Sequence, residues 1–316
     1  MNDSPPITRA GVVGTGVVGA AWAACFLARG LDVTATDPAP GAEARLRADV
    51  RAHWPILERL GLADGASPDR LTFTGRLEEA VASAGFVQEN GPERDDVKQE
   101  LFRAMDAVAP PDVVLASSSS GIMPSVVQAT CERHPERVLI GHPFNPAHLI
   151  PLVEVVGGER TGEAAIARAM SFYAAMGKHP IHLRAELPGH LANRLQAALW
   201  REAYSLVDQG LASVADIDAA IAHGPGLRWA LMGPLVLHHL SGGPGGIAHV
   251  LEHLGPPMEE WWQAMQTPRL TPELIDAAVA GVGEELAGAD VAAMVAERDA
   301  LLIDLLAAKA AATHLP

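Results

Sequence analysis

The stretch that most narrows what this chain can fold into is Gly14-Thr15-Gly16-Val17-Val18-Gly19. It follows an apolar run over 10–13, which reads as a short strand, and precedes an Ala-rich stretch over 20–29, which reads as a helix stopped by Gly30. Each glycine of a Gly-x-Gly-x-x-Gly run has a physical task. The first allows a tight turn, the second lets a pyrophosphate approach the backbone, and the third lets helix pack on strand. The free N–H groups and partial positive charge at the helix start then face the phosphates. Gly14, Gly16, Val17, Val18 and Gly19 are therefore expected at a dinucleotide. A second strand over 32–36 ends at Asp37, eighteen residues past Gly19 (37 − 19). A carboxylate there takes the ribose hydroxyls of NAD and repels the extra phosphate of NADP. Pro38 to Gly41 adds no Arg or Lys to receive that phosphate, so the reading is NAD.

Further strand signals lie at 71–74, 86–89 and 113–116, alternating with helical spacing over 42–60, 77–83 and 93–108. Alternation of this kind indicates a parallel, doubly wound sheet, with ligands beyond the carboxyl ends of its strands. Three strand tips would then face the cofactor: Glu89 to Glu93, with Asn90 among them; Ser117 to Gly121; and His142 to Pro146. A helix over 162–176 and a strand over 179–183 follow, until Pro188-Gly189 breaks the pattern. The remainder reads as helical. The expected fold is an α/β Rossmann-type doubly wound sheet over 1–187 followed by an all-helical C-terminal domain over 188–316.

Apolar runs at 138–141 and 152–156 place His142 at the end of one strand and Glu154 inside another. If the strands are neighbours, a carboxylate on one ring nitrogen fixes the tautomer and leaves the other free as acid or base. A strand-ending His and a Glu paired with some Arg would leave the same trace.

Composition removes several function classes. Of 316 residues, 49% are hydrophobic and 19% charged, which is globular, and the formal net charge is −15. Such a charge argues against nucleic acid or an anionic membrane as partner. The lysines are Lys98, Lys178 and Lys309 alone. No transmembrane-length apolar run occurs, and residues 1–8 lack a signal-peptide pattern, so a cytoplasmic protein is expected. Cys25 and Cys131 lack metal-ligand spacing. His249 and His253, four apart, have no His-Glu-x-x-His motif or Cys beside them, so no metal is expected.

The ordered set Gly14-x-Gly16-x-x-Gly19, Ser117 to Ser120, His142-Pro-Phe-Asn145-Pro, Val153-Glu154-Val155 and Pro188-Gly189-x-x-x-Asn193-Arg194 resembles the 3-hydroxyacyl-CoA dehydrogenase superfamily along nearly the whole chain. Gln88 to Arg94, Pro151 to Glu154 and Gly226-Leu227-Arg228-Trp229 look most like its free-acid branch, the L-carnitine and L-gulonate 3-dehydrogenases. That resemblance implies that His142 is the general acid/base and Glu154 its orienting carboxylate. It implies that Ser120 bonds the reacting oxygen and that Asn193 reaches from the helical domain to complete the site. Glu93, Lys98 and Asn145 would line the nicotinamide half of the NAD site. The implied reaction is NAD-dependent oxidation of a small free L-3-hydroxy acid to the 3-keto acid. Two positions depart from the branch. His148 stands where both relatives tend to carry Tyr, which bears on carnitine if that Tyr cages a trimethylammonium. His190 replaces the Phe usual after Pro-Gly.

In the second domain the spacing predicts helices over 190–209, 214–223 and 227–240, a Gly-rich turn over 241–246 and a helix over 291–311. Ser213-x-x-Asp216 resembles a capping box with Asp for Glu. Arg228 can clamp a free carboxylate bidentately, and Trp229 can face a quaternary amine, unless both are structural. Trp261-Trp262 and the last helix suit an interface, and a homodimer is expected. Two alternatives stand beside the free-acid reading: an L-3-hydroxyacyl-CoA dehydrogenase, and a non-catalytic NAD-binding or structural protein on the same fold. A Lys-poor 42–70 region offers little to the phosphates of coenzyme A. A non-catalytic protein has no physical reason to keep Ser120, His142, Glu154 and Asn193 together.

Overall fold

A computed structural model describes residues 7–315. The first compact unit runs to Asn193 and the second starts at Arg194. The first contains β1 (Arg9–Val13), α1 (Val17–Ala28), β2 (Asp32–Thr36), α2 (Ala42–Leu60), β3 (Leu71–Thr74), α3 (Leu77–Ala82) and β4 (Phe86–Glu89). It continues through α4 (Asp95–Val108), β5 (Val114–Ser117), α5 (Pro124–Val127), β6 (Val138–Pro143), β7 (Leu152–Gly157), α6 (Glu163–Ala175) and β8 (His179–Leu183). The eight strands form one sheet in the order β3-β2-β1-β4-β5-β6-β7-β8. The order reverses between β1 and β4, the crevice where doubly wound sheets take dinucleotides. The Rossmann-type sheet expected from the alternation is present.

Strands covered on both faces read as continuous apolar runs, because neither face meets water. One face buries Val12, Val33, Phe86 and Leu139 against α1, α2 and α6, with Trp22, Phe26, Leu46 and Phe172 at its centre. The other buries Val13, Val87, Leu115 and Ile140 against α3, α4 and α5, with Val81, Phe102, Met105 and Val127 opposite. Phe86 and Phe172 stack at 3.9 Å between ring centroids.

In one respect the sheet differs from the parallel one expected: β6 and β7 are antiparallel. The connection is only 144–151, and a parallel crossover needs a dozen residues or more. β6 also extends to Pro143, so His142 lies inside the strand and sits directly opposite Glu154 in the register.

The second unit is helical. α7 (Ala192–Asp208) leads into it, followed by α8 (Val214–Ala222), α9 (Pro225–Trp229), α10 (Pro234–Ser241), α11 (Gly246–Ala264), α12 (Pro272–Glu285) and α13 (Val291–Ala311). The single helix expected over 227–240 is two, because Gly233-Pro234 interrupts it. Pro234 lacks an N–H and is preset for the first position of a new helix. The helix expected from 190 starts at Ala192, since His190 adopts a left-handed backbone (φ +50°). Ser213 Oγ accepts from Asp216 N at 3.1 Å, the N-cap half of the capping box expected there, while the Asp216 carboxylate accepts from the Ser213 hydroxyl at 2.6 Å. The Gly-rich stretch forms the turn between α10 and α11. Among the described residues no helix is long and apolar enough to cross a membrane.

Candidate active site

The glycine loop after β1 is shaped as its spacing predicts. Gly14 has φ +84°, and a Cβ there would lie 2.8 Å from the Asn90 backbone. At Gly19 a Cβ would collide with the Gly14 carbonyl oxygen at 2.0 Å, while at Gly16 it would meet nothing within 4 Å. Two glycines thus serve close packing, and Gly16 leaves the approach to α1 open. Gly16 is also the N-cap of α1 and supplies no side-chain acceptor, so the helix's first N–H groups keep their capacity for an anion. Asp37 Oδ2 accepts from Thr15 N at 2.8 Å and Thr15 Oγ at 3.2 Å, and its Oδ1 accepts from Ala39 N at 2.8 Å. These bonds aim a carboxylate over the loop from the tip of β2. The donor set, the open Gly16 and the carboxylate suit an adenine dinucleotide without a 2′-phosphate.

A cleft of about 230 Å³ at the strand tips is lined by Val18, Asn90, Glu93, Lys98, Ser120, His142 and Asn145 among others. His142 is 6% exposed, and Glu154 behind it is fully buried. Their contact is His142 Nδ1 to Glu154 Oε2 at 2.9 Å. A carboxylate only accepts, so Nδ1 carries the proton and Nε2 is left with its lone pair. The second oxygen, Oε1, accepts from Leu191 N and Ala192 N, both at 2.9 Å. Burial pushes Glu154 upward, but the His142 bond and those two N–H groups outweigh it and hold the carboxyl below its ordinary range.

Beneath the cleft Lys98 Nζ lies 3.0 and 3.1 Å from the two oxygens of Glu89 and 3.2 Å from the Gly91 carbonyl. Ser117 Oγ and Gly91 N also donate to Glu89, so this buried ion pair is fully satisfied. Lys98 reaches within 3.8 Å of Glu93. Burial raises Glu93, but the Ser119 hydroxyl, Lys98 and the Gly121 and Ile122 N–H groups bring it below the ordinary value. Glu93 Oε1 gathers Ser119 Oγ (2.6 Å), Ser120 N (3.0 Å) and Gly121 N (2.9 Å), fixing the serine tip. Asn193 Nδ2 donates to the Ser120 carbonyl at 3.0 Å.

The structure thus brings together Ser120, His142, Glu154 and Asn193, with Asn90, Glu93, Lys98 and Asn145 around them. Asn193 does so from the first turn of α7, at the last residue of the first compact unit. Arg228 and Trp229 belong to the helical unit, both exposed on α9. His249 and His253 share a helix face, and His253 Nδ1 contacts the His249 carbonyl at 2.9 Å. The sequence placed Gln88 and Glu89 at a strand tip without assigning either a partner, and gave no sign of Tyr173. Gln88 Nε2 donates to Ser118 Oγ and the Gly141 carbonyl while its oxygen accepts from Tyr173 Oη at 2.6 Å. The signal was there: two polar residues closing a fully buried apolar strand require partners.

Comparison with known proteins agrees with this architecture. Residues 9–186 match the NAD-binding domain of 3-hydroxyacyl-CoA dehydrogenase, and residues 189–281 match its C-terminal domain. The chain belongs to the 3-hydroxyacyl-CoA dehydrogenase family, and it is an NAD-dependent dehydrogenase of secondary alcohols. Among its relatives it is similar to the L-carnitine dehydrogenase of Streptomyces coelicolor, with 54% identity covering 98% of this chain and 96% of that one. The L-carnitine dehydrogenase of Pseudomonas aeruginosa is 48% identical, covering 94% and 92%. The crystal structure of 5-formyl-3-hydroxy-2-methylpyridine 4-carboxylic acid 5-dehydrogenase superposes with a TM-score of 0.84 at 27% identity, covering 97% of this chain and 99% of that one.

Proposed function

We propose that this chain oxidises the 3-hydroxyl of a small free L-3-hydroxy acid, of the carnitine type, to the 3-keto acid. The observation that carries the reading is the His142–Glu154 contact across β6 and β7, with a free Nε2 facing the cleft beside Ser120. The Gly14 to Gly19 loop and Asp37 would hold NAD, which when bound would supply the acceptor for the hydride leaving the alcohol carbon. His142 Nε2 takes the hydroxyl proton, and Glu154 stabilises the imidazolium that results. The Ser120 hydroxyl and the Asn193 side chain hold the alcohol oxygen in line, and Glu93, Lys98, Asn90 and Asn145 bound the space next to it. Arg228 and Trp229 are assigned to the acid's carboxylate and its cationic end.

The long, high identity to enzymes named L-carnitine dehydrogenase supports a free acid over a coenzyme A thioester. The His148 ring is buried and stacks on His53 of α2 at 3.9 Å between centroids. Two buried free cysteines suit a reducing compartment, and we place the reaction in the cytoplasm. On the helical unit, Trp200, Tyr204, Val279 and Val282 line an apolar groove of about 470 Å³. We assign that face to a homodimer, which sedimentation at twice the 33.1 kDa chain mass would support and a monomer would refute.

The test is NADH formation with L-carnitine, L-gulonate, L-3-hydroxybutyrate and 3-hydroxybutyryl-CoA. Activity on a free acid that disappears in His142→Ala, with NAD still bound, is the expected result. General acid–base help is worth about 10²–10⁴-fold, so the variant should retain at most ~1% of turnover. Activity confined to the thioester would overturn the substrate class, and near-native turnover by His142→Ala would overturn the mechanism.

A further inference from the structure

We propose that His190 is a positioning residue of the acid–base site, clasping the serine tip at Ser119 to the turn that holds Glu154. The inference rests on the assignment of His142 and Glu154 as the acid–base pair. Three observations meet at this residue.

The first is its backbone. Among the described residues His190 is the one non-glycine with positive φ, +50°, and it follows Gly189 at +77°. A residue with a Cβ avoids this region unless its surroundings impose it, and such outliers gather at functional sites. Here two left-handed residues in succession turn the chain after Pro188. The next two N–H groups, of Leu191 and Ala192, then converge on Glu154 Oε1.

The second is the ring. It is fully buried, and Nε2 lies 3.1 Å from the Ser119 carbonyl oxygen. That oxygen only accepts, so Nε2 carries the proton and the tautomer is fixed. Glu93 grips the same tip through Ser119 Oγ, Ser120 N and Gly121 N. The main chain that carries the Ser120 hydroxyl is therefore held from both sides.

The third is what the ring leaves open. Nδ1 is buried without a hydrogen-bond partner, and the ring centroid is 5.4 Å from that of His142. A proton on Nδ1 would find no acceptor and would sit beside an imidazole that must itself become charged. Burial and the His142 charge both push His190 below its ordinary value, against the Ser119 carbonyl, Glu154 and Glu93. His190 thus stays a neutral donor while His142 gains and loses its proton. A Phe ring at this position fills the space but cannot bond Ser119.

The test compares the full-length protein with His190→Phe and His190→Gln, with His142→Ala alongside. Phe keeps the ring and its burial, and Gln restores an N–H donor. A displacement of about 1 Å at a reacting group costs on the order of 10²-fold, so Phe should lower kcat by roughly ten- to a hundredfold. KM for NAD should stay within about twofold, since the dinucleotide loop is untouched, and Gln should recover most of the lost kcat. Native kcat in His190→Phe while His142→Ala is inactive would overturn this inference alone. So would equal losses in Phe and Gln that follow a reduced folded fraction by circular dichroism. Activity in His142→Ala would instead remove the acid–base reading, and this inference with it.

Discussion

Glu154→Gln tests the dyad most sharply, because the amide is nearly the shape of the carboxylate and only its hydrogen-bond polarity changes. Glu154 Oε1 accepts two backbone N–H groups and Oε2 faces His142 Nδ1. A Gln has one acceptor and one donor end to place there. Turning the NH₂ toward Leu191 N and Ala192 N would set donors against donors, at about 1–3 kcal/mol for each buried group left unmet. The carbonyl therefore keeps the two N–H groups and the NH₂ meets His142. Nδ1 must then offer its lone pair, and the proton moves to Nε2, where the base is needed. The imidazole is held in the wrong tautomer. Loss of a general base is worth about 10²–10⁴-fold, or roughly 2.7–5.4 kcal/mol at 1.36 kcal/mol per tenfold. Initial rates of NADH formation, with the acid and NAD both saturating, should fall by that factor while KM for NAD stays put. Stability supplies a second readout with a definite sign. Glu154 is held below its ordinary value of 4.5, so its contribution is present above pH 4.5 and lost as pH falls through the folded value. The variant should be less stable than the parent at neutral pH, and the gap should close on acidification. Turnover within twofold of the parent at neutral pH would refute the tautomer argument.

Asp37→Ala removes the carboxylate proposed to face NAD from the tip of β2. A charge-assisted hydrogen bond contributes about 1.5–3 kcal/mol, so KM for NAD should rise roughly ten- to a hundredfold, and the preference over NADP should shrink. An unchanged ratio of kcat/KM for the two cofactors would show that Asp37 serves only the Thr15 turn. Lys98→Met leaves the fully buried Glu89 without its cation. Breaking such a pair costs about 3–5 kcal/mol, so the thermal unfolding midpoint should drop and Glu93 should lose its nearest positive charge. A midpoint equal to the parent's in thermal denaturation would show that Ser117 and Gly91 suffice for Glu89.

Much of this was legible because the constraints were local. The Gly14 to Gly19 spacing can be met in few ways between a strand and a helix, and the collision a Cβ would make at Gly19 is the reason. Alternating apolar runs set the sheet and its two layers. The antiparallel step at β7 was legible too, from the length of 144–151, but only if loop length is weighed as heavily as strand pattern. The break at Gly233-Pro234 was signalled by the same rule that ended other helices, and helical periodicity over 227–240 concealed it.

The parts that stayed hidden depend on partners far away in the chain. Glu89 and Gln88 sit at the end of an apolar strand, where nothing nearby shows that Lys98, Ser117 and Tyr173 will satisfy them. His190 is harder still, because two properties that no short pattern encodes converge on it. Its left-handed backbone is the kind glycine takes freely, and its ring partner, Ser119, lies 71 residues earlier. Its importance follows from the dyad's own geometry. Antiparallel pairing places His142 opposite Glu154, but pairing leaves one carboxylate oxygen unengaged. A buried anion with an idle oxygen would be raised by desolvation and would protonate more readily. The turn at Gly189-His190 closes that gap by bringing two N–H groups to Oε1, so the strands create the dyad and the turn keeps its carboxylate charged. That is why an interruption as plain as Pro188-Gly189, inside the first unit, belongs to the proposed acid–base site as much as to the end of the sheet.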